Sequence, residues 1–527
     1  MESVDAVVIG AGHHGLVAAS VLADAGWDVL VLERRDTVGG AVASVERDGW
    51  VMDEFSSCHP LAAISPVIRG LDLESHGLRW SRVDRVVAHA GTPEDPRGAL
   101  IHRDPAVTAR GLAVDHPGDE QAWHDLVGFW HDIRDPFIDA LLTRWPPVRA
   151  GGRLVRSVGA RDVLRLAREF LLPLNRFAVE RFEGEQARML LAGNAAHADI
   201  PSEAPGSGLF GLIMAMLAQD VGFPSPVGGT GRLAQAMRSR AETAGARVDT
   251  GVTVSRVVTS GGRAVGVETA DGRRVRARRA VIADTTAPAL YRSLLPADSV
   301  PARLLQDLDH FEWDLPTVKV NLRLSAPLPW TAESARGAGV VHVGHDRQGL
   351  MHWEADLAGG TVPEKPFALL GQMTTTDPTR SPDGTETVWM YSHLPRGVSD
   401  DASGALLADR MDEMLDAFAP GWREHLVERW VQLPSDLQGA DPNLVGGAVA
   451  GGTNQLFQQL VFRPVPGLGG PRTPVDGLYL GSASAHPGGG VHGACGYLAA
   501  RAALTDSAWW GRPRHRLELA ALHWLYR

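Results

Sequence analysis

The chain has 527 residues, too many for one simple core, so we expect two or more domains. Its net charge of −11 and the absence of a Lys/Arg cluster argue against nucleic acid as a partner. Its two cysteines, Cys58 and Cys495, lack CxxC spacing, which argues against a disulfide scaffold, a thiol redox pair or a cysteine metal site. We expect no metal.

The two ends of the chain and its longest apolar run bear on location. The start, MESVDAVVIG, has no basic segment typical of a signal peptide. The run GLFGLIMAMLA (208–218) is too short to span a bilayer and predicts a buried helix. We expect a cytoplasmic protein with no transmembrane segment. The tail RLELAALHWLYR (516–527) predicts a docked terminal helix, and peripheral membrane contact is the open alternative.

The N-terminal residues form a pattern that predicts a dinucleotide site. VDAVVI predicts a buried parallel strand, and GAGHHG then places Gly10, Gly12 and Gly15 in GxGxxG spacing. LVAASVLADAG predicts a helix, and DVLVL a second strand that ends at Glu33. The glycines allow a pyrophosphate to approach the helix N-terminus, and the acid can accept hydrogen bonds from a ribose.

Glu33 alone does not distinguish NAD from FAD, and a second glycine pair, Gly39–Gly40 in RRDTVGGAVAS, favours FAD by resemblance. It resembles the FAD-binding signature of the family that includes amine oxidases and carotenoid desaturases. No second complete strand–GxGxxG–helix unit is visible, so a separate pyridine-nucleotide domain is not expected. Arg34 could touch phosphate or adenosine, or could be solvated.

The middle of the chain alternates between two kinds of pattern. PVGGTGRLAQAMRSRAETAG predicts a glycine turn and an amphipathic helix, and the strands that follow turn at Asp271–Gly272. Residues 80–225 show helical spacing, whereas residues 301–465 mix strands and turns, including the strictly alternating TVKVNLRL (317–324). The chain is predicted to pass twice between a nucleotide domain and a second domain.

Near the C-terminus, the loop HPGGGVHGACG follows the strand LYLGSA and precedes the helical pattern that begins with VHGACGYLAA. A glycine loop on a helix N-terminus suits a negative charge, such as that of reduced flavin. The expected donors are backbone N–H groups around Val491 and His492. Gly481 and Ser482 are expected near the pyrophosphate.

These stretches together resemble the phytoene-dehydrogenase-related FAD oxidoreductases of the carotenoid desaturase and amine oxidase superfamily. The closest resemblance is to the group named pyridine nucleotide-disulfide oxidoreductase domain-containing protein 2, carried by GAGHHGLVAA, SSCHPLAAISPVIRGLDLESHGLRW, DPTRSPDGTETVWMYSHLPRG, DPNLVGGAVAGG and GLYLGSASAHPGGGVHGACGYLAA. The disulfide chemistry in that name has no residues here.

The resemblance implies an α/β fold, in which a Rossmann-like FAD-binding domain of the glutathione-reductase/amine-oxidase type is interleaved with an α+β substrate domain. The FAD domain is predicted over residues 1–80, 226–300 and 466–510, the substrate domain over 81–225 and 301–465, and a tail over 511–527. The resemblance implies FAD as the cofactor. The expected cofactor-binding residues are Gly10, Ala11, Gly12, His14, Gly15, Glu33, Arg34, Gly39, Gly40, Ala41, Val254, Gly481, Ser482, Gly490, Val491 and His492.

Three residues are candidates for catalysis. Lys319 and Lys365 are the only lysines among 51 Lys and Arg residues, and in amine oxidases a lysine near flavin N5 holds a water. The alternative for Lys319 is a solvated face of the alternating strand. His486 and His59 could exchange protons near the flavin, or could be structural histidines, and His393 shares that ambiguity.

The predicted function is an FAD-dependent oxidoreductase that desaturates, dehydrogenates or isomerises a mainly apolar small molecule by hydride transfer to flavin. A flavin amine or amino-acid oxidase is the first alternative, and it would need an aromatic cage in a chain with 6% aromatic residues. A non-enzymatic, flavin-bearing interaction protein is the second alternative. The sequence does not identify the electron acceptor.

Overall fold

The structure, a computed structural model, describes residues 2–527 and contains two seven-stranded sheets and two short two-stranded sheets. The strands are β1 (Glu2–Ile9), β2 (Val29–Leu32), β3 (Ser44–Arg47), β4 (Trp50–Asp53), β5 (Trp80–Ser81), β6 (Arg85–His89), β7 (Ala99–His102), β8 (Ser225–Pro226), β9 (Arg247–Asp249), β10 (Val254–Ser260), β11 (Arg263–Thr269), β12 (Arg274–Ala283), β13 (Thr317–Leu324), β14 (Val340–Val343), β15 (Ala368–Gln372), β16 (Glu386–His393), β17 (Leu426–Gln432) and β18 (Leu478–Leu480).

The helices surround both large sheets. They are α1 (His13–Asp24), α2 (Pro60–Ile64), α3 (Pro66–Arg69), α4 (Pro105–Ala113), α5 (Asp119–Leu141), α6 (Val148–Val158), α7 (Val163–Leu171), α8 (Leu174–Arg181), α9 (Glu185–Ala195), α10 (Ser207–Asp220), α11 (Gly231–Thr243), α12 (Ala287–Ala289), α13 (Ala302–Asp307), α14 (Arg347–Ala358), α15 (Met373–Thr376), α16 (Asp401–Phe418), α17 (Pro434–Ala440), α18 (Ala494–Ser507) and α19 (Arg512–Leu525).

The first large sheet has the order β10-β11-β12-β1-β2-β9, with β18 beside β12. Strand β1 runs parallel to β2 and to β12, as the buried apolar run of the N-terminus predicted. Helices α1, α11 and α18 cover one face, where Leu16, Leu233 and Ala499 share a core. All strands of this sheet come from the three segments predicted for the FAD domain, whose exact boundaries remain a prediction.

The second large sheet has the order β17-β13-β16-β15-β14-β6-β7 and is antiparallel except where β14 meets β6. Helices α5, α9 and α10 pack on one face, with Trp123, Leu190 and Leu217 in their core. Helix α16 packs on the other face through Leu407 and Met411. The mixed α/β architecture expected from the sequence is confirmed.

Strand β13 is buried on both faces, so the alternative of a solvated strand face for Lys319 is wrong. Lys319 and Arg323 are only 4% and 7% exposed. The hairpin β3–β4 and the chain after it cover this face: Lys319 Nζ donates to the Asp53 carbonyl at 2.5 Å, and the Arg323 guanidinium lies 5.7 Å from the centre of the Trp50 ring. The alternating sequence pattern correctly predicted a polar face on β13, but the β3–β4 hairpin and the chain after it cover that face.

The C-terminal tail is a docked helix. Tyr526 is 3% exposed and donates to the Pro466 carbonyl at 2.6 Å, while Leu522 and Leu525 pack against the core beneath the first sheet. Trp524 on the same helix points outward. Among residues 2–527, no helix has the length and apolarity needed to cross a membrane.

Candidate active site

A cavity of about 540 Å³ lies between the two large sheets. On one side it is bounded by the loops at the carboxyl ends of the first sheet, which we call the nucleotide wall. On the other side it is bounded by residues of α10, β13, β14, β16 and neighbouring loops. We call this side the apolar wall; it consists of His197, Met214, Phe223, Thr317, Lys319, Val340, Trp389 and Tyr391.

The first glycine turn brings the start of α1 to the nucleotide wall. A Cβ on Gly15 would lie 2.2 Å from the Gly10 carbonyl oxygen, so only glycine permits this close turn. Helix α1 begins at His13, directly after Gly12, and both residues border the cavity. The unpaired N–H groups of a first helical turn are suited to bind a phosphate there.

Glu33 is held in place by the backbone around it. Its two carboxylate oxygens accept hydrogen bonds from the Ala11 N–H at 2.7 Å and the Arg35 N–H at 2.8 Å. The Gly39 N–H donates to the Ala11 carbonyl at 2.8 Å, so the second glycine turn packs on the first. This arrangement orients the carboxylate toward the cavity, as a ribose partner requires.

The structure separates the expected cofactor-binding residues into two groups. Those that border the cavity are Gly10, Gly12, His14, Glu33, Arg34, Gly40, Ala41, Val254, Ser482, Gly490 and Val491, whereas Ala11, Gly15, Gly39, Gly481 and His492 lie behind its surface. The glycines of the second group act through packing. Their roles toward a cofactor remain predictions.

Two details of the C-terminal loop differ from expectation. Helix α18 begins at Ala494, after a glycine N-cap in the left-handed region, and so later than the sequence predicted. The His492 N–H donates to the Gly490 carbonyl at 3.1 Å and is not a free donor. A Cβ on Gly496 would lie 1.9 Å from the His14 carbonyl oxygen. This position in the first turn of α18 therefore needs glycine, because α18 packs very closely on α1.

Sequence reasoning missed Asp284, which follows β12 and accepts from the Gly15 N–H at 2.8 Å. Burial raises the pKa of Asp284 to about 8, despite that hydrogen bond. The sequence carries a signal for this residue, because the acid directly follows the apolar run AVIA. In the structure that run forms the end of β12, which pairs with β1. A neutral carboxyl at this position is compatible with a nearby pyrophosphate.

Lys319 borders the cavity at the apolar wall. Its ammonium donates to the carbonyls of Asp53 at 2.5 Å and Phe55 at 3.3 Å, which leaves one hydrogen for another partner. Burial lowers its pKa to about 8, and the nearby Asp53 opposes that shift. The placement is compatible with a role at the flavin, which stays a prediction.

The two histidine candidates lie behind the cavity surface. His59 is 2% exposed, with Nε2 2.5 Å from Thr230 Oγ1, and His486 Nε2 lies 2.9 Å from the Thr143 carbonyl. Neither borders the cavity, so their geometry fits the structural alternative. Burial lowers the pKa of His59 to about 4.

A group of potential metal ligands lies behind the nucleotide wall: one atom each of His14, His492 and Cys495 lies within 4.8 Å of the others. His492 already uses both ring nitrogens, since Nδ1 accepts from the Ala494 N–H and Nε2 pairs with the Gly488 carbonyl. Cys495 Sγ faces two carbonyls at 3.6 Å. Of the three, only His14 is without a partner among the described residues, so we assign no metal here.

The residues of the cavity fit FAD. The nucleotide wall combines a helix N-terminus, two glycine turns and an oriented Glu33 carboxylate. The buried hydroxyls of Ser57 and Thr285 border the same cavity and have no protein partner among the described residues. Such orphaned groups indicate a polar ligand.

The fold and the cavity define an α/β flavoprotein of the oxidoreductase class. The model of flavin containing amine oxidoreductases matches residues 15–504, and the chain belongs to this family. It is 31% identical to the mouse (Mus musculus) pyridine nucleotide-disulfide oxidoreductase domain-containing protein 2, over 95% of this chain and 93% of that protein. Two carotenoid desaturases, from Myxococcus xanthus and Cereibacter sphaeroides, are 25% and 27% identical over 92% and 95% of this chain and 90% and 98% of those proteins.

Two further comparisons concern a relative in sequence and a relative in fold. A limonene dehydrogenase polypeptide of Castellaniella defragrans is 24% identical, over 97% of each chain. The structure of putrescine oxidase bound to putrescine aligns with a TM-score of 0.60 at 16% identity, covering 95% of this chain and 98% of that chain. The protein is therefore an FAD-dependent oxidoreductase, which excludes the non-enzymatic alternative.

Proposed function

We propose that this enzyme desaturates, dehydrogenates or isomerises a neutral, mainly apolar small molecule held against the apolar wall. One observation carries the proposal. The acidic residues that border the cavity are Glu33 and Asp284 at the nucleotide wall and Asp441, which follows α17 and faces Gly40 of that wall; none belongs to the apolar wall. A cationic substrate at the apolar wall would therefore have no carboxylate to pair with, whereas a neutral apolar one needs none.

The chain's own residues provide a dry, shaped surface for such a substrate. Met214, Phe223 and Val340 supply apolar contacts, and Met adapts to irregular ligand shapes. Bound FAD would accept the hydride. In this proposal Lys319 holds a water or a flavin atom with its remaining hydrogen, which its two contacts with backbone carbonyls leave available. The proposal includes the cytoplasmic location expected from the sequence.

Amine oxidation is the second candidate, favoured by the aromatic pair Trp389 and Tyr391. Their ring centres are 5.8 Å apart with planes 26° from parallel, a geometry that could bind an amine. Against it, Lys319 is opposite Tyr391 in the β13–β16 pairing. The Lys319 ammonium, charged below pH 8, would repel a protonated amine.

The test is anaerobic bleaching of enzyme-bound FAD by single compounds. Limonene and its ketone carvone represent neutral apolar donors, and cyclohexylamine and putrescine represent amines. We expect bleaching or a flavin spectral shift with the terpenes and neither with the amines. Reduction by the amines alone would overturn the proposal.

A pair of variants tests whether the terpene response depends on the apolar wall. Met214→Glu places a charge in the wall and should abolish the terpene response without changing the FAD content. The matched control is Met351→Glu on the exposed face of α14, which should behave like the wild type. Equal loss in both variants would argue against the assigned wall.

A further inference from the structure

His197 is a polar group of the apolar wall that the proposed function does not use. It lies just after α9 and borders the cavity. Its Nε2 atom is 3.0 Å from Nε2 of His342, a β14 residue with no exposed surface. Because only one proton fits between these atoms, one imidazole donates and the other accepts.

The surroundings of His342 decide which imidazole donates. Its other nitrogen, Nδ1, is sealed from solvent and has no partner among the described residues. This edge of the ring faces Gly193 of α9, where a Cβ would lie only 2.2 Å from Nδ1. A bare nitrogen fits such a contact better than an N–H, because buried N–H groups without an acceptor are rare.

Both imidazoles are neutral at physiological pH, so the proton between them belongs to a neutral ring. Burial lowers the pKa of His197 to about 3 and that of His342 well below its usual range. The other histidines packed near the pair, His89 and His393, also have lowered pKa values because they are buried.

We infer that His342 donates its Nε2 proton to His197, which fixes the proton of His197 on Nδ1 and makes that N–H a hydrogen-bond donor within the substrate cavity. The Nδ1 atom of His197 has no partner among the described residues and, unlike that of His342, is not sealed. His197 is thus a specificity residue and His342 its positioning residue.

The consequence concerns the substrate class and rests on the proposed function. A pure hydrocarbon would leave the His197 N–H unpaired, whereas a carbonyl, ether or hydroxyl oxygen would accept from it. The enzyme is expected to prefer an apolar molecule with one acceptor oxygen over the matching hydrocarbon, by roughly tenfold in affinity.

The first test observes the protons directly. Long-range ¹H–¹⁵N correlation spectra of the FAD-loaded enzyme, labelled with [¹⁵N]histidine, report the tautomer of each ring. His197→Phe and His342→Phe identify the two signal sets by their loss. We expect His197 as the Nδ1–H form and His342 as the Nε2–H form. The opposite pair of tautomers would overturn the inference.

The second test measures binding of carvone and limonene, which differ by one carbonyl oxygen, through the spectrum of the oxidised flavin. Carvone should bind roughly tenfold tighter to the wild type, and His197→Phe should remove the difference. His342→Gln keeps an N–H donor and should preserve the preference, whereas the similarly sized His342→Met should reduce it.

The outcomes separate this inference from the proposed function. Equal binding of the two terpenes to the wild type would overturn the inference alone. Binding of cyclohexylamine with no response to either terpene would overturn the proposed function. A fall in carvone preference that is the same for His342→Gln and His342→Met would show that His342 acts only by packing, which overturns its positioning role.

Discussion

Replacement of Lys319 by Met should change how stability depends on pH. In the folded protein the pKa of Lys319 is about 8, against an ordinary value of 10.5. Between these two values the unfolded chain binds more protons than the folded one. The stability of the wild type therefore rises with pH across this window, whereas that of Lys319→Met lacks this contribution.

The size of the effect follows from the width of the window. Below pH 8 the ammonium is charged in both states, and its burial cost is fully present. From pH 8 to pH 9.5, at about 1.4 kcal/mol per pH unit, the wild type should gain roughly 2 kcal/mol relative to Lys319→Met. Other titrating groups are common to both proteins and cancel in the difference.

Urea titrations of the holoenzyme at pH 7.0 and pH 9.5 measure this difference in the free energy of unfolding. Lys365→Met is the matched control, because Lys365 is the other lysine of the chain and is exposed. Its difference from the wild type should be the same at both pH values. A Lys319→Met difference that does not change with pH would refute the burial argument for Lys319.

Three further predictions test the nucleotide wall and the tail. Gly15→Ala places a Cβ 2.2 Å from a backbone oxygen, and should lower FAD per chain to below roughly a tenth of the wild-type value, whereas Gly111→Ala, in open space, should not. Because Asp284 ionises near pH 8, FAD affinity should weaken by roughly 5-fold between pH 6.5 and 9, as measured by flavin fluorescence, and Asp284→Asn should remove that dependence. Tyr526→Ala should cost about 3 kcal/mol in urea unfolding, while exposed Trp524→Ala should stay within about 0.5 kcal/mol; equal effects would contradict a docked tail.

The parts of the fold that could be predicted are those encoded by adjacent residues. Gly10, Gly12 and Gly15 predict a turn between a strand and a helix, and Glu33 follows the next strand. All of these residues lie within 24 positions of the chain. The structure places these residues in that arrangement. Local steric needs and strand periodicity are sufficient to predict such a unit, because its strand, turn, helix and second strand follow one another within one short segment of the chain.

The parts that could not be predicted depend on distant segments. The alternation of β13 cannot show that the β3–β4 hairpin, more than 260 residues away in the chain, covers its polar face. His59 and His486 are of a residue type that can exchange protons. The structure pairs them with Thr230 and with the Thr143 carbonyl, and neither histidine borders the cavity. Residue type suggests chemistry, and packing decides whether that chemistry reaches a ligand.

The division of the cavity into two walls separates the residues expected to hold the cofactor from those expected to contact the substrate. The nucleotide wall comes from the first sheet and carries Glu33 and Asp284, and the third bordering acid, Asp441, faces Gly40 of that wall. The apolar wall comes from the second sheet and its helices, and contributes Lys319 and His197 but no carboxylate. Since substrate charge must be matched where the substrate lies, changes at the apolar wall can alter the substrate without disturbing the cofactor. Substrate identity in this protein is therefore to be sought in the segments around residues 197–223 and 317–391.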